Sequence, residues 1–450
     1  MSSALRTPPP LDVDALLDDR GTRIIVCCGA GGVGKTTTAA ALGVRAAERG
    51  RRVVVLTIDP ARRLAQSMGI DLLDNTPRPV AGLRGADGAA GDGGPEGSAG
   101  GELHAMMLDM KRTFDEIVEA HADGERARAI LDNPFYQSLS AGFAGTQEYM
   151  AMEKLGQLRA RDDWDLIVVD TPPSRSALDF LDAPKRLGSF LDGKFIRVLM
   201  APAKVGGRAG MKFLNVGMSM MTGTLSKLMG GQLLKDVQTF VAAMDTMFGG
   251  FRTRADATYR LLQAPGTAFL VVAAPEPDAL REAAYFVERL AAERMPLAGL
   301  VLNRVHGSGA GQLSAERALA AAENLEETGI VDQESGKAGA RGPADPADPA
   351  GPADRADSPD GDSPGPDGGR GTDGSVPDPD VPDVELITAG LLRLHAERMQ
   401  VIARERQTRD RFTSLHPEVP VAEVAALPGD VHDLAGLRAI GERLTAGQPD

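Results

Sequence analysis

The sequence predicts an α/β protein with a doubly wound, mostly parallel sheet and a helical insertion. Three observations lead there. Short, continuous β-branched runs such as Val53 to Ile58 (VVVLTI) and Leu166 to Val169 (LIVV) lack polar alternation, as strands covered on both faces require. Helical patterns separate these runs, and such alternation builds a parallel sheet with helices on both faces. Long helical stretches then interrupt the alternation, which adds a helical subdomain.

In chain order, residues 1–20 read as a flexible N-terminus; they lack the basic start and apolar centre of a leader. The first half of the core, 21–80, holds a strand at Arg23 to Cys28, an Ala-rich helix from Lys35 to Arg49 stopped by Gly50, and the VVVLTI strand. Residues 81–102 are Gly-rich and expected to be disordered. The core continues over 103–177, helical from about Lys111 to Ala160 and then the LIVV strand. A Met-rich helical subdomain covers 178–262. The second half of the core, 263–330, carries strands at Phe269 to Ala273 and Leu300 to Leu302. Residues 331–385 hold 14 acids and 4 bases, and from Gly336 to Asp383 there is no Leu, Ile, Phe, Tyr or Trp. Such a stretch cannot offset the entropy of ordering, so an acidic linker is expected, beginning as early as His306 or as late as Glu334. Residues 386–450 supply a C-terminal helix and the last part of the core.

The formal charge of −14 sits mostly in that linker, leaving the rest of the 450-residue chain nearly neutral, which argues against a nucleic-acid binder. The two cysteines, Cys27 and Cys28, are adjacent on a strand and point to opposite faces, which disfavours a disulfide framework or a zinc site. The expectation is a cytoplasmic protein. No run of eighteen apolar residues predicts a membrane span.

Gly29-Ala30-Gly31-Gly32-Val33-Gly34-Lys35-Thr36 fits G-x4-G-K-[ST], after a strand and before a helix. Glycines let successive backbone N–H groups face phosphates, and the helix N-terminus adds positive potential. The candidate nucleotide-binding residues are Gly29, Gly31, Gly32, Val33, Gly34, Lys35, Thr36 and Thr37. Lys35 is expected at the β- and γ-phosphates and the Thr36 hydroxyl at Mg²⁺. Two acids end apolar strands, Asp59 in TIDPARR and Asp170 in WDLIVVDTPP. Ligands of parallel sheets sit at the carboxyl ends of strands, so both acids face the loop. Asp170 fits a Walker B acid holding Mg²⁺ through water. Asp59 can position or deprotonate the attacking water and lies near the metal. The alternative for each is a helix N-cap.

GAGGVGKTT, TIDPA and DTPPSRSALDFLDAP together resemble the arsenite-pump and tail-anchored-protein-targeting ATPases, a branch of the deviant-Walker-A class. The resemblance covers nearly all of the chain outside the two segments expected to be disordered. It implies ATP and Mg²⁺, a dimer, Asp59 as the switch I catalytic acid and Asp170 as the switch II acid. It also implies that Asn303 (in GLVLNRV) and Pro428 (in VAALPGDVHDLAGL) lie on the adenine side, and that Gly145-Thr146-Gln147-Glu148 opens a helix. Ala30 stands where most relatives carry a signature lysine that reaches across the dimer. Arg62 or Arg63 either supplies the missing charge or lies on a solvated helix face. The zinc-clamping Cys-x-x-Cys and the cysteines of a metalloid site are absent, which argues against zinc and arsenite.

Eight of the 17 methionines lie between Met200 and Gly250, either lining a groove for an apolar client helix or replacing scarce aromatics in a core. The helix Leu386 to Phe412 has apolar residues at 387, 391, 394 and 402, a helical spacing, and six arginines that make one face basic; it reads as a surface helix packed on the main domain, with a contact to an acidic partner as the alternative. Three functions compete. The first is a Mg²⁺-dependent ATPase whose dimer handles an apolar or membrane-protein client. The second is a weakly hydrolysing subunit paired with a lysine-bearing paralogue, and the third a spatial organiser that cycles on a membrane.

Overall fold

The computed structural model describes residues 8–58, 63–83, 101–134, 136–137, 146–172, 250, 253–338 and 384–446. By internal contacts the chain forms two units, Met1–Gly307 with Arg404–Asp450, and Ser308–Ala403. The first unit carries an eight-stranded sheet. Its strands are β1 (Ile24–Cys28), β2 (Arg52–Thr57), β3 (Arg78–Pro79), β4 (Glu102–Met107), β5 (Leu166–Asp170), β6 (Thr267–Ala273), β7 (Leu297–Val305) and β8 (Val421–Ala425). The order is β3-β4-β2-β5-β1-β6-β7-β8, parallel throughout except the short β3 edge. β1 therefore lies between β5 and β6, with Cys27 in register with Asp170 and Cys28 with Val271.

Two apolar layers cover the sheet, as a doubly wound fold requires. Ile24, Val26 and Cys28 join one, with residues of α4 (Met110–His121), α5 (Gly124–Leu131), α6 (Thr146–Arg161) and α7 (Pro277–Ala292). Ile25 and Cys27 join the other, with residues of α2 (Lys35–Glu48) and α10 (Leu434–Arg443). The adjacent cysteines thus face opposite layers, and both are buried.

The expected boundaries change in four places. The N-terminus is not uniformly flexible: α1 (Val13–Asp18) buries Val13 and Leu17, an i, i+4 pair, in the layer that α2 shares. Its Asp12 cap accepts from the Ala15 N–H, and Asp14 and Asp18 pair with Arg45 of α2 and with Arg49, which closes that helix. The Gly-rich stretch ends before Glu102, which opens β4 by pairing with Arg52, and Val80 and Leu83 are buried; residues 84–100 lie outside the described ones. β8 was missed, because AEV places a charge in a short run, yet Val424 is fully buried beside β7. Finally, α8 (Ala315–Ala338) carries helix into the expected linker, continuing from its Ala- and Glu-rich first half, which favours helix. The linker's 339–383 and the Met-rich 173–249 lie outside the described residues.

The second unit contains α8 and the first part of α9 (Val384–Leu415). Arg393 pairs with Glu326 at 2.7 Å, and a His395 ring nitrogen lies 2.8 Å from the Leu313 carbonyl. The expected helix is present as α9, and its apolar spacing does not mark its covered face. Ile387, Leu391 and Leu394 are 46, 61 and 62% exposed, whereas Ala389 and Ala396 are buried, as are Ala318 and Ala322 of α8. Small side chains are thus the covered ones on both helices. Of the four spaced residues only Ile402 is buried.

Candidate functional site

The loop after β1 is shaped by glycine at two positions. At Gly29 (φ +146) an added Cβ would lie 2.0 Å from the Val272 carbonyl oxygen of β6. At Gly34 (φ +95) it would lie 2.2 Å from Asn303 Nδ2. Gly34 is the left-handed N-cap residue of α2, and no side chain caps the helix. The N-terminal end of α2 thus keeps its positive potential directed at the loop, a fit to an anionic phosphate chain. Gly31 and Gly32 are exposed at the turn.

Lys35 opens α2 and is 6% exposed; its Nζ donates to the Ala30 carbonyl at 2.7 Å. Ala30 itself is 7% exposed and its methyl joins the α2-side apolar layer. The Ala30 side chain therefore turns inward. Val33 is buried and its carbonyl accepts from Asn303 Nδ2 at 2.8 Å, so β7 braces the loop.

A carboxylate lies at the end of the neighbouring strand. Asp170, wholly buried, closes β5, and its Oδ2 accepts from Thr36 Oγ1 at 2.7 Å and from Thr57 Oγ1 at 2.9 Å. A hydroxyl and a carboxylate in contact are hard oxygen donors of the kind Mg²⁺ takes, so Thr36 and Asp170 fit that ion. Burial pushes the Cys28 thiol up to about 12, and burial with the nearby Asp170 charge raises Cys27, so both are held as neutral thiols at neutral pH.

A cavity of about 1100 Å³ opens beside the loop, lined on one side by Gly32, Gly34, Lys35, Thr36 and Thr37. Asn303, Arg304 and the run Ala425 to His432, Pro428 included, line it as well. The lining thus includes both the polar loop and the apolar Leu427 and Pro428. The structure therefore brings together Lys35, Thr36, Thr37, Asp170, Asn303 and Pro428. Asp59 and Arg62 lie outside the described residues, and Arg63 opens the short α3 (Arg63–Ser67).

Sequence reading passed over Thr57 and Arg304. Thr57 had a signal: a hydroxyl interrupting an apolar strand at its carboxyl end. For Arg304 the signal is conformational and absent from the sequence. Among the described residues, no helix is long and apolar enough to cross a membrane.

The sequence model of the family described as anion-transporting ATPase matches residues 22–321. The chain is 25% identical to the ATPase GET3 of Podospora anserina over 313 residues, 68% of this chain and 81% of that protein. It is 28% identical to the ATPase GET3 of Malassezia globosa over 180 residues, 40% of this chain and 47% of that protein. With the ATPase asna-1 of Caenorhabditis elegans the identity is 26% over 186 residues, 41% of this chain and 50% of that protein. The chain thus spans about half the length of the latter two relatives.

Proposed function

The chain belongs to the anion-transporting ATPase family, a family of ATP hydrolases, and on that premise we propose a Mg²⁺-dependent ATPase whose nucleotide cycle, run in a dimer, handles an apolar or membrane-protein client. The observation that carries the proposal is the meeting of Lys35, Thr36 and Asp170 at the carboxyl edge of β1 and β5. The loop N–H groups and the α2 N-terminus bind the phosphate chain. Lys35 leaves the Ala30 carbonyl for the β- and γ-phosphates. Thr36 and Asp170 hold Mg²⁺, which when bound neutralises phosphate charge. Asp59 orients the attacking water and takes its proton. Asn303 and Pro428 frame the adenine. Phosphoryl transfer asks for this kind of positioning and charge placement more than for covalent help.

One observation favours a second reading. Because residue 30 is an uncharged alanine, this subunit offers its partner no lysine from that position. Either Arg62 or Arg63 supplies the trans charge in a homodimer, or a lysine-bearing paralogue completes the site. The test is ATP turnover against protein concentration, with Asp59→Asn, Arg62→Ala and Arg63→Ala. Turnover rising faster than linearly and lost in Asp59→Asn supports the self-dimer, and loss in an arginine variant names the charge. ATP binding without turnover supports the paired subunit. Turnover unaffected by Asp59→Asn overturns the assigned chemistry.

A further inference from the structure

We propose that Arg304 is a nucleotide-contacting residue, held at the cavity by a bulge that strains its backbone. This deepens the nucleotide reading above and rests on it. Among the described residues three non-glycines have a positive φ: Asp162, Arg294 and Arg304. Asp162 directly follows α6, and Arg294 lies just beyond α7; a left-handed residue commonly closes a helix at such positions. Arg304, at φ 63, has no helix to close and lies within β7.

The pairing of β7 with β8 slips at this residue. Asn303 pairs with Val424 and Val305 with Ala425, so Arg304 is the extra residue of a bulge. Successive residues of a regular strand face opposite sides of the sheet. The bulge breaks that alternation, and Asn303 and Arg304 both line the nucleotide cavity. Arg304 is exposed, and among the described residues no carboxylate pairs with it. Strained non-glycine backbone persists where surrounding structure enforces it, and it clusters at ligand sites. An unneutralised guanidinium beside a phosphate-shaped loop can pair with phosphate oxygens or stack on a purine face, and one nucleotide offers both.

Arg304→Gly removes the guanidinium and relieves the left-handed strain in one step. Calorimetric binding of ATP, adenosine and inorganic tripolyphosphate to wild type, Arg304→Gly, Arg304→Lys and Lys35→Ala, with melting temperatures, tests the proposal. Arg304→Gly is expected to melt at or above wild type yet bind ATP about tenfold more weakly, with Arg304→Lys between. A loss shared with adenosine places the contact on the base; one shared with tripolyphosphate places it on the phosphates. Either outcome supports the proposal. ATP affinity within about twofold of wild type overturns it, since a charge-assisted contact contributes more than that. A lower melting temperature also overturns it, because Arg304 would then stabilise the fold. Wild type binding ATP no better than Lys35→Ala overturns the reading of the whole site.

Discussion

Replacing Thr57 by Val removes one hydroxyl and keeps the shape of the side chain. Thr57 is 1% exposed and donates to Asp170 Oδ2 at 2.9 Å, beside the 2.7 Å bond from Thr36. Asp170 is 0% exposed, so water cannot replace the lost donor. A hydrogen bond to a charged acceptor contributes about 1.5–3 kcal/mol, which is the expected loss of stability. The same carboxylate is proposed to hold Mg²⁺. If about 1.4 kcal/mol of the loss acts there, half-maximal turnover needs about tenfold more Mg²⁺. Urea unfolding and a Mg²⁺ titration of ATP turnover read the two effects separately. Turnover at saturating Mg²⁺ should change little, and Thr57→Ser should restore both quantities. Unchanged unfolding together with unchanged Mg²⁺ dependence would refute the idea that Thr57 positions Asp170.

Other consequences can be checked on the same protein. Arg51 is 1% exposed and its guanidinium donates to the carbonyls of Leu17, Asp19, Thr22 and Asp165, so Arg51→Met strands buried acceptors. At about 1–3 kcal/mol for each buried group left unmade, urea unfolding should show a loss on the order of 2–5 kcal/mol. Gly34→Ala forces a Cβ to 2.2 Å from Asn303 Nδ2 at a left-handed residue, and ATP binding by calorimetry should fall below detection while the far-UV spectrum persists. Cys27 and Cys28 should resist alkylation at pH 8 and react only in denaturant; rapid labelling of the native protein would contradict the burial of β1. The hydrogen bond from Arg45 holds the Asp14 carboxyl below its ordinary value of 3.8. A depressed folded value stabilises the protein above that pH and is lost as pH falls through it. Arg45→Ala should therefore lower the melting temperature at pH 7, with the gap from wild type shrinking below about pH 4.

The sequence by itself determined the sheet interior and the phosphate loop. Both rest on short-range chemistry: β-branched runs can be buried on two faces, and the loop's glycines, lysine and threonine lie within eight consecutive residues. Asp170 was legible too, as a carboxylate closing an apolar strand. What the sequence alone did not reveal depends on partners far along the chain. Thr57 meets Asp170 across 113 positions, and Asn303 braces Val33 across 270. β8 becomes a strand because β7 offers it a ladder edge, although its own run is short and carries Glu423. Arg409 pairs with that glutamate at 3.0 Å, which makes the buried charge tolerable. The face of α9 follows the same logic. Helical spacing marks two apolar stripes, and only packing decides that the alanines are covered while the leucines stay exposed. Arg304 lies furthest from what a sequence can show, because its place at the cavity comes from a one-residue slip between two strands, and register is a property of the pair rather than of either run.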